Sequence, residues 1–121
     1  MAPQKILLID QDPWVLCSLA SILERDGYLV AGAAHAEEAI LSLHESSFDL
    51  VVMDLAAKGV SELDLLSQIL MRHPSLPVMI LTAMVTHAAL EEALKKGAVD
   101  YLIKPVEPAQ ILYRIKKLLT N

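Results

Sequence analysis

Four aliphatic residues in a row, Leu50-Val51-Val52-Met53, stop on a carboxylate, Asp54. A strand with water on one face alternates apolar and polar side chains. A strand with no polar position is covered on both faces, the pattern of a parallel sheet lying between helices. Open sheets of that kind gather their chemistry at the carboxyl ends of the strands, which is where Asp54 stands. On this stretch alone, Asp54 serves equally well as the first residue of a turn.

The same pattern recurs along the chain. Lys5 to Asp10 is a short apolar run ending on a carboxylate, followed by Gln11, Asp12 and Pro13. Asp12 suits a helix cap, and Pro13 suits the first turn, where a missing N–H costs nothing. Leu16, Leu19, Ala20 and Leu23 follow at helical spacing, and Gly27 marks the stop. Tyr28 to Ala33 reads as a second strand, and Ala36 to Glu45 as a helix with Ala36, Ala39, Ile40 and Leu43 on one face.

Beyond Asp54 and a loop through Gly59, Ser61-Glu62-Leu63-Asp64 resembles a capping box, ahead of a third helix with Leu63, Leu66, Ile69 and Leu70 inward. Val78 to Leu81 is a fourth buried strand ending at Thr82, and a fourth helix runs from about Thr86 to Lys96, closed by Gly97. Val99 to Ile103 is the fifth strand, ending at Lys104-Pro105, and Pro108 opens a last helix with Ile111, Ile115 and Leu118 inward. Five strands thus alternate with five helices, and right-handed crossovers leave few arrangements. The expectation is a single α/β domain over residues 1–121. It is a flavodoxin-like, doubly wound parallel sheet in the order 2-1-3-4-5, a three-layer sandwich with helices outside.

Composition agrees. Residues are 55% apolar but only 4% aromatic, so the core is aliphatic. The lone Cys17 has no partner for an internal disulfide and reads as a small structural residue of the first helix; with no signal sequence in view, the expected compartment is the cytoplasm. The longest stretch free of charged residues, His73 to Leu90, is broken by Pro74, Pro77, Thr82 and Thr86, so no membrane span is expected. A net charge of −5 with no basic run disfavours direct nucleic-acid binding. The four histidines have no zinc spacing, and Met53, Met71, Met79 and Met84 read as core or loop residues.

Taken together, the strand ends bring Asp10, Asp54, Thr82 and Lys104 to one edge of the sheet. Two carboxylates, a hydroxyl and a cation are the parts needed for phosphoryl transfer to an aspartate. No one of them carries the reading; their coincidence does.

At this point the sequence resembles the receiver domain of two-component response regulators over essentially its whole length. The signatures are ILLID at the first strand, LVVMDL at the third, VMILTA at the fourth and GAVDYLIKP at the fifth. The resemblance implies Asp54 as phosphoacceptor, with a histidine kinase or phosphotransfer protein as donor. It implies Asp10, Gln11, Asp54 and Ala56 around a Mg²⁺ ion, Thr82 and Tyr101 as the switch pair, and Lys104 as phosphoryl partner. It also implies a Lys104-Pro105 bond that is often cis. Helix four, strand five and helix five become the readout face and a homodimer surface, with Glu91, Lys95, Gln110 and Arg114 as exposed participants. Such a domain is regulatory rather than an enzyme, assisting only its own phosphotransfer and dephosphorylation.

Three departures bear on that reading. Gln11 stands where receivers usually place a second, metal-binding carboxylate, so Mg²⁺ affinity is expected to fall, with Asp12 as a compensating acid or, more in keeping with its position, a helix cap. In the following loop, Lys58 replaces a common proline and Glu62 a common glycine. Ala56 and Met84, at positions that influence water access to the phosphoryl group, are both apolar, which predicts slow self-hydrolysis. Two other readings stand beside this one. The first is a degenerate receiver acting as an interaction module without phosphate. The second is a haloacid-dehalogenase-type phosphatase built on Asp10-Gln11-Asp12, which lacks that family's later acid pair and has no room for a substrate cap.

Overall fold

The computed structural model describes residues 2–55, 60–83 and 86–120, without the side chains of Val60 and Ser61. Among these residues the elements run β1 (Lys5–Ile9), α1 (Pro13–Arg25), β2 (Leu29–Ala33), α2 (Ala36–Glu45), β3 (Leu50–Met53), α3 (Val60–Arg72), β4 (Val78–Thr82), α4 (His87–Lys96), β5 (Asp100–Ile103) and α5 (Pro108–Leu119). All strand pairs are parallel and the order is β2-β1-β3-β4-β5, as the alternation of elements predicts.

The side-chain alternation of each strand divides the core in two. Leu7, Ile9, Val51, Met53, Val78 and Ile80 face α2, α3 and α4, whose Ala39, Leu43, Leu65, Leu66, Ile69, Leu90 and Ala93 cover them. Ile6, Leu8, Leu50, Val52, Met79, Leu81 and Leu102 face the other way, onto Leu23 of α1 and Ile111 and Ile115 of α5. Both faces of β3 and β4 are therefore dry, which is why neither strand has a polar position before its end.

Local signals act as their chemistry suggests. Asp12 caps α1, its Oδ1 accepting from the Trp14 N–H at 2.9 Å, with Pro13 opening the first turn. Thr86 caps α4 by accepting from the Ala89 N–H at 3.2 Å. Gly97 ends that helix at φ +118°, in the left-handed region, and a Cβ there would lie 2.9 Å from Leu70 Cδ1. Two reasons thus fix the same glycine.

Some expectations fail locally. The second strand starts at Leu29 rather than Tyr28, and the fifth at Asp100 rather than Val99. Ser61 is not an N-cap, because α3 already begins at Val60. Leu65, outside the expected core set, is buried, since a helix packed on a sheet beneath a neighbouring helix hides a wider stripe than one spacing rule marks. Cys17 is exposed rather than structural, and Met71, on the outer side of α3, is 83% exposed. No helix among the described residues is long and apolar enough to cross a membrane.

Candidate functional site

The sheet reverses its order between β1 and β3, and both strands end on a carboxylate there. The ladder continues just past the strands: Asp10 N–H donates to Ala33 O (3.0 Å), Asp54 N–H to Ile9 O (2.9 Å) and Lys104 N–H to Thr82 O (2.9 Å). Backbone pairing therefore fixes the Cα positions of three functional residues, and their side chains converge on one cleft.

In that cleft the Lys104 ammonium bridges the two acids, donating to Asp10 Oδ2 at 2.7 Å and to Asp54 Oδ2 at 3.2 Å. Asp10 is only 6% exposed, and its other oxygen accepts the Asp12 N–H at 2.9 Å, so both of its oxygens are held. Asp54 differs. Its Oδ1 is buried and, among the described residues, has no hydrogen-bond partner. A buried acceptor left in this way is costly in a folded protein, and is expected where a ligand or ion completes the site.

Burial pushes the Asp54 carboxyl above the usual carboxylate range; Thr82 and Lys104 oppose that rise, and the charge of Asp10 adds to it. The Thr82 hydroxyl has one proton to donate, and it meets Leu55 O at 2.9 Å. The same hydroxyl, close to Asp54, opposes the rise of its pKa. Burial pulls the Lys104 ammonium toward neutrality, but its bond to Asp10 and the nearby charge of Asp54 outweigh this, and its pKa is raised. Lys104 is therefore a fixed cation at any physiological pH.

The cleft measures about 530 Å³, and its lining includes Asp10, Gln11, Asp12, Asp54 and Lys104 together with His35, Glu62 and Ala83. Thr82 is wholly buried beneath it. Tyr101, 39% exposed on β5, points outward, away from the buried side of Leu102. The Lys104-Pro105 peptide bond is cis.

Position and chemistry together match one family. The sequence profile of the response regulator receiver domain matches residues 6–116. The chain belongs to that family. Receiver domains are regulatory units of two-component systems, generally bind Mg²⁺ in an acidic pocket, and response regulators interact with histidine kinases or phosphotransfer proteins.

Relatives differ in what surrounds the domain. The chemotaxis protein CheY of Thermotoga maritima is 28% identical over 116 residues, covering 95% of this chain and 97% of that protein. The alginate biosynthesis transcriptional regulatory protein AlgB of Pseudomonas aeruginosa is 38% identical over 110 residues, 88% of this chain but only 24% of the regulator. A solved response regulator from Thermotoga maritima superposes with a TM-score of 0.91 at 29% identity, covering 98% of this chain and 99% of that one.

The residues present fit a hard divalent cation: two carboxylates, one with an unsatisfied oxygen, and an adjacent amide oxygen on Gln11. Asp10, Asp54 and Gln11 would hold it. Asp12 serves as the α1 cap. Ala56, Met84 and Lys58 lie outside the described residues.

Sequence reasoning did not connect His35 and Glu62 with the cleft. Each sits at the start of a helix facing the strand ends, and Glu62 follows Asp54 by eight residues, a spacing that signals proximity only once the helix start is known.

Proposed function

We propose that this domain is a phosphorylatable switch in which Asp54 accepts a phosphoryl group, in the presence of Mg²⁺, from the phosphohistidine of a kinase or phosphotransfer protein. The supporting observation is Lys104 bridging Asp10 and Asp54 beside an Asp54 oxygen with no partner. An Asp54 oxygen attacks phosphorus in line, the P–N bond breaks, and its electron pair leaves on the imidazole nitrogen, giving an acyl phosphate. Mg²⁺, when bound, neutralises charge on the phosphoryl oxygens. Lys104 moves from the carboxylate to a phosphoryl oxygen, keeping its bond to Asp10 as an anchor. The Thr82 hydroxyl turns from Leu55 O to the phosphoryl group, and Tyr101 moves into the space beside it, a population shift driven by those new contacts.

The unit we assign covers residues 1–121, and its readout face is made of α4, β5 and α5. Exposed Leu94, Tyr101, Ile103 and Tyr113 on these elements support partner contacts or a homodimer there. Glu91, Lys95 and Gln110 are exposed on the same face, whereas Arg114 is tied to Asp100. The dehalogenase-type reading loses ground because Asp12, its acid/base, is engaged as a cap.

Incubation with a small acyl-phosphate donor and Mg²⁺, read by intact mass, tests the assignment. The expected result is a gain of one phosphoryl group in the wild type and none in Asp54→Asn. A gain that survives Asp54→Asn, or no gain at any Mg²⁺ concentration, overturns it.

A further inference from the structure

The cleft holds fewer negative charges around Asp54 than its chemistry calls for. Asp10 and Asp54 share one lysine, and the next residue after Asp10 is the neutral Gln11. Asp12, the adjacent acid, has its Oδ1 committed to the α1 N-terminus. The same cleft is lined by one more carboxylate, Glu62, in the first turn of α3.

We propose that Glu62, in place of an acid at position 11, supplies the additional negative charge that draws a divalent cation into the Asp10–Asp54 cleft. The inference rests on the Mg²⁺-dependent reading above. Two observations point the same way: Glu62 lines the same cleft as Asp10, Gln11 and Asp54, and Asp54 Oδ1 is left without a partner there. No three acidic, histidine or cysteine side chains among the described residues converge closely enough to hold an ion by themselves. Glu62 therefore acts through the field rather than as a direct ligand. Mg²⁺ suits that arrangement, because it keeps several of its waters and is commonly held by one or two carboxylates. A unit charge several ångströms from a divalent ion, across water-rich space, changes affinity about three- to tenfold. The role does not depend on which hydrogen bond the Glu62 carboxylate itself makes. The residue is a positioning residue for the ion.

Calorimetric titration of the chain with Mg²⁺ at low salt tests this, with no phosphodonor present. Glu62→Gln should weaken binding about three- to tenfold. The difference should shrink as salt is raised, because screening acts much more on a charge at a distance than on a direct ligand. Glu62→Asp should restore most of the loss. Asp12→Asn keeps the cap, since Asn caps as well as Asp, and should cost less than Glu62→Gln. Adding an acid at the neutral position, in Gln11→Asp/Glu62→Gln, should bring the affinity back. Equal affinity in Glu62→Gln and wild type overturns the inference while leaving the Mg²⁺ reading intact. A larger loss in Asp12→Asn assigns the charge to Asp12 and overturns it as well. A wild type that binds no Mg²⁺ removes both.

Discussion

β4 and β5 lie side by side, paired from Met79↔Asp100 to Thr82↔Ile103, yet they differ in every other respect. All five residues of β4 are buried, whereas β5 buries only Leu102. β4 has a neighbour on each side and helices above and below. β5 is the sheet edge, and the face carrying Tyr101 and Ile103 is left partly open. The two residues proposed to move on phosphorylation, Thr82 and Tyr101, therefore belong to different mechanical worlds. Thr82 can do little more than rotate a hydroxyl within a packed wall. Tyr101 has room to swing. A small event at a packed centre can be read at the edge if the edge side chains, which are partly exposed, are the ones free to move.

The strongest way to break that comparison is to remove the same atoms from each strand. Ile80→Ala in β4 opens a cavity between the sheet and the helices that cover it and should cost about 2–5 kcal/mol in urea unfolding. Ile103→Ala in β5, where the side chain is 43% exposed, should cost less than about 1 kcal/mol. Equal losses would mean that the β5 face is covered in solution, and a concentration dependence of the Ile103→Ala effect would identify the cover as a second copy of the chain.

The next effect concerns the centre alone. Because burial raises the Asp54 pKa in the folded protein above its ordinary value of 3.8, the folded state holds the proton more tightly than the unfolded chain. In the metal-free protein, the contribution of Asp54 to stability therefore falls as pH rises from 3.8 through the raised pKa, and the deficit is complete above it. Asp54→Asn removes that deficit and should melt higher than the wild type at pH 7 in a chelator, although it loses a bond to Lys104. The gain should vanish once pH falls below about 3.8, where both states of the wild type are protonated. A mutant that melts lower at pH 7 would show that the Lys104 pair outweighs burial, leaving the centre without stored electrostatic strain.

The sheet was legible in the sequence because the aliphatic runs have no polar interruption; Leu50 to Met53 and Val78 to Leu81 can be little else. Asp10 and Asp54 were legible for a related reason, as each is the first polar residue after such a run; Lys104 stands directly after β5, beside Pro105. What the linear pattern could not carry is distance across the cleft. Glu62 reads as a helix-start acid, and only the packing of α3 against β3 brings it toward Asp10. The Lys104 bridge is similarly invisible, since it joins residues 94 and 50 positions apart. The exposure of Cys17 and Met71 was missed because apolar character says what a side chain tolerates, not which side of a helix the sheet occupies.

The smallest expected effect tests how firmly the edge is pinned. Arg114 of α5 donates from Nη1 to both oxygens of Asp100 at 2.7 Å, and Asp100 Oδ1 also accepts the Tyr101 N–H at 2.8 Å. One side chain of α5 thus holds the backbone at the start of β5. With 36% and 25% of the two side chains exposed, solvent screens the pair, and Arg114→Ala should cost no more than about 1 kcal/mol. Because a single nitrogen serves both oxygens, the two-pronged geometry that distinguishes arginine is not in use, so Arg114→Lys should retain most of that small contribution. The more informative readout is local: in Arg114→Ala, hydrogen exchange at the Tyr101 amide should quicken while amides of β4 stay protected, because only the edge has lost its tether. If the β4 amides quicken as well, the centre and the edge open together, and the division between a rigid wall and a movable edge fails.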